Sequence, residues 1–375
     1  MITVSDLLLT YPLPVQVRDA VENKEFEFAL MLIANSCEQN PESSSRLFAF
    51  RQIYSEFLSA DCRERLVEFH DAVSAPIPSV EVDKKPFGLV GLDDRVDLII
   101  PVHNGLDHLK SCLESVLANS SNRLGNVIIV DDASGAETKE FVHSFCADVP
   151  EATLICTDES VGFTQAISLG VAESESPFFV ALNSDTIVLD SWLEKLLATL
   201  DSAPNVAIVG PVSNSAAWQN IFEPVDEDGN FVRHPMPDYK GCCDLQETAT
   251  RAAHLGSPVS PLVHGFCALL HRAAYDHVGQ LDVVSFPRGY GEFQDLCLRF
   301  WDAGYRGKIS NDCFVAHVGG ASLESDQRSD LSKLARRTLY EKHTALRYLT
   351  FEAASIFSIP MANWRAQCKL LQMPV

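Results

Sequence analysis

The sequence predicts an α/β protein: a Rossmann-like, doubly wound, mostly parallel sheet with a helical region before it and helices after it. Three observations carry this expectation. Short apolar runs recur between residues 96 and 209, and most are followed by stretches with helical apolar spacing. Residues 1–73 contain no glycine and interleave apolar clusters with polar residues, as helices do. Residues 330–348 read as helical again. The expected organisation is an N-terminal helical region and linker over 1–85, an α/β domain over 86–328 and a C-terminal helical extension over 329–375.

Taken in order, Phe26 to Ile33 and Leu47 to Phe57 supply the apolar clusters of the N-terminal helices. Pro76 and Pro78, followed by the charged run from Glu81 to Lys85, mark the linker. Five runs then read as buried strands: 96–100, 126–130, 152–156, 178–182 and 206–209. Helices are expected over 106–117, 137–145, 164–172 and 192–200. That alternation implies a mostly parallel sheet. Residues 223–262, rich in Pro, Asp and Gly, read as a long excursion able to act as a lid. The segment 346–371 mixes apolar and basic residues. It suits docking on the core, on a second copy of the chain or on a membrane surface.

Composition narrows the function. A hydrophobic share of 46% is ordinary for a globular protein, while a net charge of −22 opposes general nucleic-acid binding. The 11 cysteines form no CxxC pair, which argues against a zinc site and fits reduced thiols. The N-terminus has no basic run of a signal peptide, and no apolar run approaches the ~20 residues that cross a bilayer. The expectation is a cytoplasmic protein, at most peripheral on the inner face of a membrane.

In open α/β sheets, ligands bind beyond the carboxyl ends of the strands. Pro101, His103 and Asn104 follow the first strand, Asp131 and Asp132 the second, and Asn183 and Asp185 the fourth. A planar His beside carboxylates suits a nucleobase: His103 stacks and Asp132 accepts from an imide N–H. Asp185 suits Mg²⁺ or Mn²⁺, hard cations that take oxygen ligands. Each residue also has a plainer reading, because a post-strand Asp often caps the next helix. Three such groups after three strands favour a shared site.

Residues 286–307 are the most informative stretch. Phe293, Leu296, Cys297, Phe300 and Trp301 give helical apolar spacing, and Gly304 suits a left-handed helix end. Glu292, Asp295 and Arg299 are expected on the opposite, polar side. A carboxylate at a helix start beside glycines suits a general base, with Asp295 as a second candidate. The plainer reading is compensation of the helix dipole by Glu292 and an Asp295–Arg299 pair at i,i+4.

Together, in order and spacing, these motifs resemble family 2 glycosyltransferases of the GT-A fold, in particular bacterial O-antigen and polysaccharide types. The resemblance runs from Val96 to Ser322. Pro-Val-His103-Asn104 is similar to the family's nucleobase-packing segment, and Val130-Asp-Asp-Ala-Ser134 to its uracil-contacting segment. Gly162-Phe163 resembles the segment beside the nucleotide. Leu182-Asn183-Ser-Asp185-Thr resembles the DxD metal motif, with Asn183 in the first place. Gly265 to Leu270 resembles the acceptor-side strand, Gly289-Tyr-Gly-Glu292 the acidic catalytic motif, and His317 the late metal-shell histidine. Ser168 stands where relatives often carry Asn. Phe293 replaces a second carboxylate that usually follows the Glu.

The resemblance implies an inverting transfer of a sugar from a nucleoside-diphosphate sugar, usually a UDP-sugar, to a hydroxyl of a glycan, lipid-linked or protein acceptor. Mn²⁺ or Mg²⁺ would assist. Two alternatives stay open. One is a degenerate, non-catalytic sugar-nucleotide-binding or docking protein, suggested by Phe293 and Asn183, with the terminal helices serving oligomerisation. The other is a nucleotidyltransferase, which would want more glycines after the first strand than Gly105 alone.

Overall fold

The computed structural model describes residues 15–41, 43–59, 62–74, 90–91, 94–254, 256–319 and 325–372. The linker residues Pro76 and Pro78 lie outside the described residues. Four helices come first: α1 (Val15–Glu22), α2 (Phe26–Gln39), α3 (Ser44–Ser59) and α4 (Arg63–Ser74). Alternation follows: β1 (Val96–Val102), α5 (Leu106–Asn119), β2 (Leu124–Asp131), α6 (Ala136–Asp148), β3 (Ala152–Cys156), α7 (Phe163–Glu173) and β4 (Phe178–Leu182). Then come β5 (Thr186–Ile187), α8 (Trp192–Leu200), β6 (Val206–Val212), α9 (Tyr239–Ala252), β7 (Val259–Ser260), β8 (Cys267–His271) and α10 (Arg272–Val278). The chain ends with α11 (Glu292–Asp302), β9 (Arg306–Phe314), β10 (Ala316–His317), α12 (Ser325–His343), α13 (Ala345–Ile356) and α14 (Ile359–Gln372).

The main sheet has eight strands in the order β3-β2-β1-β4-β8-β6-β9-β7. Strands β1 to β4 pair in parallel, as do β6 and β9. Strand β8 runs antiparallel to both of its neighbours, β4 and β6. Every residue of β1, β4 and β6 is buried, which is why these strands, apart from Asp97 in β1, read as apolar runs instead of alternating ones. The polar strand ends of β1, β2 and β4 therefore gather at one edge.

Two expectations need correction. Residues 223–262 are not an unstructured excursion, since they contain α9 and β7. Asp238 caps α9 by accepting from the Gly241 N–H at 2.7 Å. Its buried face is spare (Cys242, Leu245, Ala249, Ala252), so the periodic signal is weak. The helix expected over 330–348 is two helices, α12 and α13, divided at Thr344, whose φ is +63° and whose hydroxyl accepts from the Arg347 N–H.

The terminal helices do not stand apart from the sheet. Leu30, Ile33, Phe50 and Phe57 of α2 and α3 share one hydrophobic core with Leu349 and Phe351 of α13 and with the buried face of α11. Glu38 accepts from the Ala345 N–H at 2.8 Å, and Arg51 pairs with Glu352 at 2.9 Å. Helix α14 docks on the core, where Arg365 donates to the carbonyls of Asn220 and Trp218 at 2.9 and 2.6 Å. Among the described residues no helix is long and apolar enough to cross a membrane.

Candidate active site

One cavity of about 910 Å³ opens at the strand-end edge. Of the residues singled out from the sequence, Pro101, His103, Asn104, Asp132, Gly162, Phe163, Asn183, Asp185, Glu292 and His317 line it. Asp131 and Asp295 do not. Asp131 is fully buried behind the strand end, where one carboxylate oxygen accepts from the Ser134 N–H at 3.1 Å.

The β1 and β2 ends form the first wall. His103 is exposed, and its Nδ1–H donates to the Asp132 carbonyl at 2.6 Å, which fixes the ring. Asn104, with φ of +61°, ties two loops together: its N–H donates to the Ser134 hydroxyl and its Oδ1 accepts from the Gly135 N–H, both at 2.8 Å. Asp132 accepts from Val161 and Gly162 N–H at 2.6 and 3.0 Å, and from the hydroxyls of Ser160 and Thr157 at 2.9 and 3.2 Å. A carboxylate offers about four acceptor sites, and this one fills them on its own loop. In this arrangement Asp132 clamps residues 157–162 while lining the cavity. Gly162 has φ of +89°, and a Cβ there would lie 2.4 Å from the Pro287 carbonyl oxygen, so a glycine lets that loop meet the one before Glu292.

The β4 end and the late histidine form the second wall. Strands β5 and β10 pair antiparallel, with Thr186 opposite His317, and the Val318 N–H donates to the Asp185 carbonyl at 3.0 Å. Asn214 pins His317 on both sides, accepting from its N–H at 2.8 Å and donating to its carbonyl at 2.9 Å. The imidazole stacks on Phe266 at 4.9 Å, and its Nδ1–H donates to the Ser215 carbonyl at 2.7 Å. That bond leaves a lone pair on Nε2, which lies 3.3 Å from the Asp185 carboxylate and 3.3 Å from the Asn183 amide nitrogen. The neighbouring Asn183 Oδ1 is buried and unpartnered. Electron-rich atoms facing each other fit a cation between them, and the carboxylate and imidazole donors suit Mn²⁺ or Mg²⁺. Among the described residues no cluster of three or more His, Cys, Asp or Glu is set to hold a metal alone, so further ligands would come from substrate oxygens and water.

The third wall is the start of α11. Glu292 and Asp295 are not on an exposed polar side, as the spacing suggests. They are 5% and 0% exposed, because α12 packs over that face. Glu292 accepts from the Gly291 N–H at 2.9 Å, and burial holds its carboxyl above the usual 4.5, against that bond and with a small push from Asp295. Asp295 behaves oppositely. Burial would raise it, but His343, Arg299 and Lys342 hold it down to about 2. These groups lie 2.8, 2.9 and 2.7 Å away. The expected Asp295–Arg299 pair is thus part of a buried network joining α11 to α12. Phe293 is 1% exposed and packs on Gly265, where a Cβ would come within 2.2 Å of its ring.

A prediction follows from that network. Asp295→Ala should destabilise the fold by about 3–5 kcal/mol, because removing one partner leaves buried cationic groups uncompensated. The folded pKa of Asp295 is depressed, so its contribution is present above the ordinary 3.8 and fades as pH falls through about 2. Urea unfolding at neutral pH, wild type against variant, measures it.

Sequence reasoning missed several cavity residues: Trp218, Arg233, His264, Arg336, Tyr348 and Glu352. His264 is next to the motif beginning at Gly265, a signal that was available. Its Nδ1 accepts from the Phe266 N–H at 3.2 Å, which puts the proton on Nε2. Burial, and then His317, push its pKa down to about 3, so the ring stays neutral.

Residues 97–279 match the family model described as Glycosyl transferase family 2. That stretch is similar to family 2 glycosyltransferases and carries the strands of the main sheet other than β9. A pre-mycofactocin glycosyltransferase of Mycobacterium tuberculosis is 27% identical over 293 residues, covering 74% of this chain and 53% of the relative. An N-acetylglucosaminyltransferase of Sinorhizobium fredii is 25% identical over 265 residues, covering 69% and 61%. The chain spans about half the length of the curated relatives it matches. Among solved structures, a mannosyltransferase from Pyrobaculum calidifontis in complex with GDP-Man and Mn²⁺ superposes with a TM-score of 0.49 at 15% identity. It covers 84% of this chain and 85% of that one.

Proposed function

We propose that this glycosyltransferase cleft moves a sugar from a nucleoside-diphosphate sugar, with uridine as the base, to an acceptor hydroxyl, with inversion at the anomeric carbon. The observation that carries the reading is the convergence of His103, the Asp185–His317 pair and Glu292 on one cavity. His103 offers an exposed, fixed ring face to the base. Asp185 and His317 are the residues that would hold a divalent cation, which when bound neutralises charge on the departing diphosphate. Glu292 takes the proton as the acceptor oxygen attacks from the face opposite the diphosphate. Raised basicity and burial suit it to that role. Asp295, neutralised on three sides, is assigned to positioning of α11 instead of proton transfer. In one displacement the acceptor O–C bond forms as the anomeric C–O bond to the diphosphate breaks, so no covalent enzyme intermediate is needed.

The buried, structural role of Phe293 supports catalysis through Glu292 alone over a degenerate binding protein. The deciding experiment is a donor screen by nucleoside-diphosphate release, with and without Mn²⁺. Release that requires both a nucleotide sugar and the cation supports the reading. Binding of UDP-sugars without turnover over a broad acceptor panel favours the non-catalytic alternative, and release of pyrophosphate favours a nucleotidyltransferase.

A further inference from the structure

The cavity continues past Glu292 into a chamber that the transfer chemistry does not require. Its walls include Phe231, Arg336 of α12, and Tyr348 and Glu352 of α13. The two parts are neighbours, since a Cβ on Gly291, the residue before Glu292, would lie 3.2 Å from the Ala335 Cβ. The charge balance of this chamber is uneven. Glu352 is 1% exposed and already accepts from Arg51 at 2.9 Å and from the Tyr348 hydroxyl at 3.1 Å. Arg51, 6% exposed, also donates to the Gly229 carbonyl and lies 4.8 Å from the Phe231 ring centre.

Arg336 is the group left over. Its nearest carboxylate oxygen, on Glu352, is 4.0 Å away, beyond hydrogen-bond range. Its Nε is buried without a partner, and its side chain is only 17% exposed. No hydrogen bond to its guanidinium is present among the described residues. The buried Tyr340 hydroxyl, one turn on, is also unpartnered. Two guanidinium groups thus share one carboxylate in a secluded pocket, in a chain whose net charge is −22. A desolvated guanidinium without hydrogen bonds is costly, and its fork of N–H donors matches a carboxylate or phosphate.

We propose that this chamber binds an anionic group of the acceptor, a sugar carboxylate or sugar phosphate, on the Arg336 guanidinium. Calling the ligand an acceptor rests on the transfer reading above; the binding of an anionic saccharide does not. Arg51 and Glu352 hold the chamber's shape, so the N-terminal helices take part in acceptor choice by fixing its far wall.

The test is calorimetric titration of the full chain, with UDP and Mn²⁺ present to fill the nucleotide end. Three matched disaccharides serve as probes, ending in glucose, glucuronate or glucose 6-phosphate. At least one anionic probe should bind tenfold or more tightly than the neutral one, and which of the two does so identifies the anion. Arg336→Gln should remove that gap, while Arg336→Lys, keeping charge but not the fork, should retain part of it. Equal binding of all three probes by the wild type overturns the proposal, as does a gap that survives in Arg336→Gln. If the Gln variant does not fold, the wild-type comparison and the Lys variant decide alone. Nucleoside-diphosphate release on the same samples reports separately: a gap without release sinks only the transfer reading, and release without a gap sinks only this one.

Discussion

Glu292→Gln is expected to lower the rate of sugar transfer by about 10²–10⁴-fold, the usual contribution of a positioned general base. Nucleoside-diphosphate binding should be unchanged, because Gln has the same shape and its carbonyl oxygen can accept from the Gly291 N–H as Glu292 does at 2.9 Å. The pH profile adds a second readout. The base works when ionised, so wild-type activity should fall as pH drops through the Glu292 pKa. Burial sets that pKa above 4.5, and the acid limb should lie correspondingly high. Asp295 cannot be the source of such a limb, since it is held down to about 2. The limb should vanish in Glu292→Gln and persist in Asp295→Asn among molecules that remain folded. Wild-type rates in Glu292→Gln would remove the base assignment.

Asp185→Ala is the second large expected effect. Its carboxylate faces His317 Nε2 at 3.3 Å. Losing it should abolish Mn²⁺-dependent stabilisation of the protein by UDP in a thermal shift assay. Transfer should fall by about 10³-fold or more, since charge stabilisation worth several kcal/mol is lost and each ~1.4 kcal/mol is tenfold in rate. His317→Ala should weaken the same stabilisation less, because it removes one nitrogen donor and leaves the Asp185 carboxylate in place. A thermal shift in Asp185→Ala equal to the wild type's would place the cation elsewhere.

Much of the sheet was legible because burial on both faces leaves a plain trace: the runs at 96–100, 126–130, 178–182 and 206–209 are apolar apart from Asp97 and Asn126. Strand β9 was missed because Arg306, Lys308, Ser310 and Asp312 alternate through it, which reads as a polar loop. Helix α9 was missed because its buried face is mostly small side chains. The site was legible in position more than in role. Strand ends told where Asp132 and Asp185 would lie, but a carboxylate after a strand can equally bind a ligand or clamp its own loop. The four donors from residues 157–162 that meet Asp132 in the fold leave no local trace in the sequence around it. Asp295 illustrates the same limit: its partner Arg299 is four residues away and was foreseen, while Lys342 and His343 are distant in sequence. No local pattern announces that Arg51 and Glu352 meet 301 residues apart.

The most direct test is a crystal structure of the full chain grown with UDP and Mn²⁺, with the cation located by its anomalous scattering. The account requires one peak within bonding distance of an Asp185 oxygen and His317 Nε2, contacting the diphosphate, with the uracil ring against His103. A well-ordered nucleotide bound away from these residues, or bound there with the cation elsewhere, would contradict it.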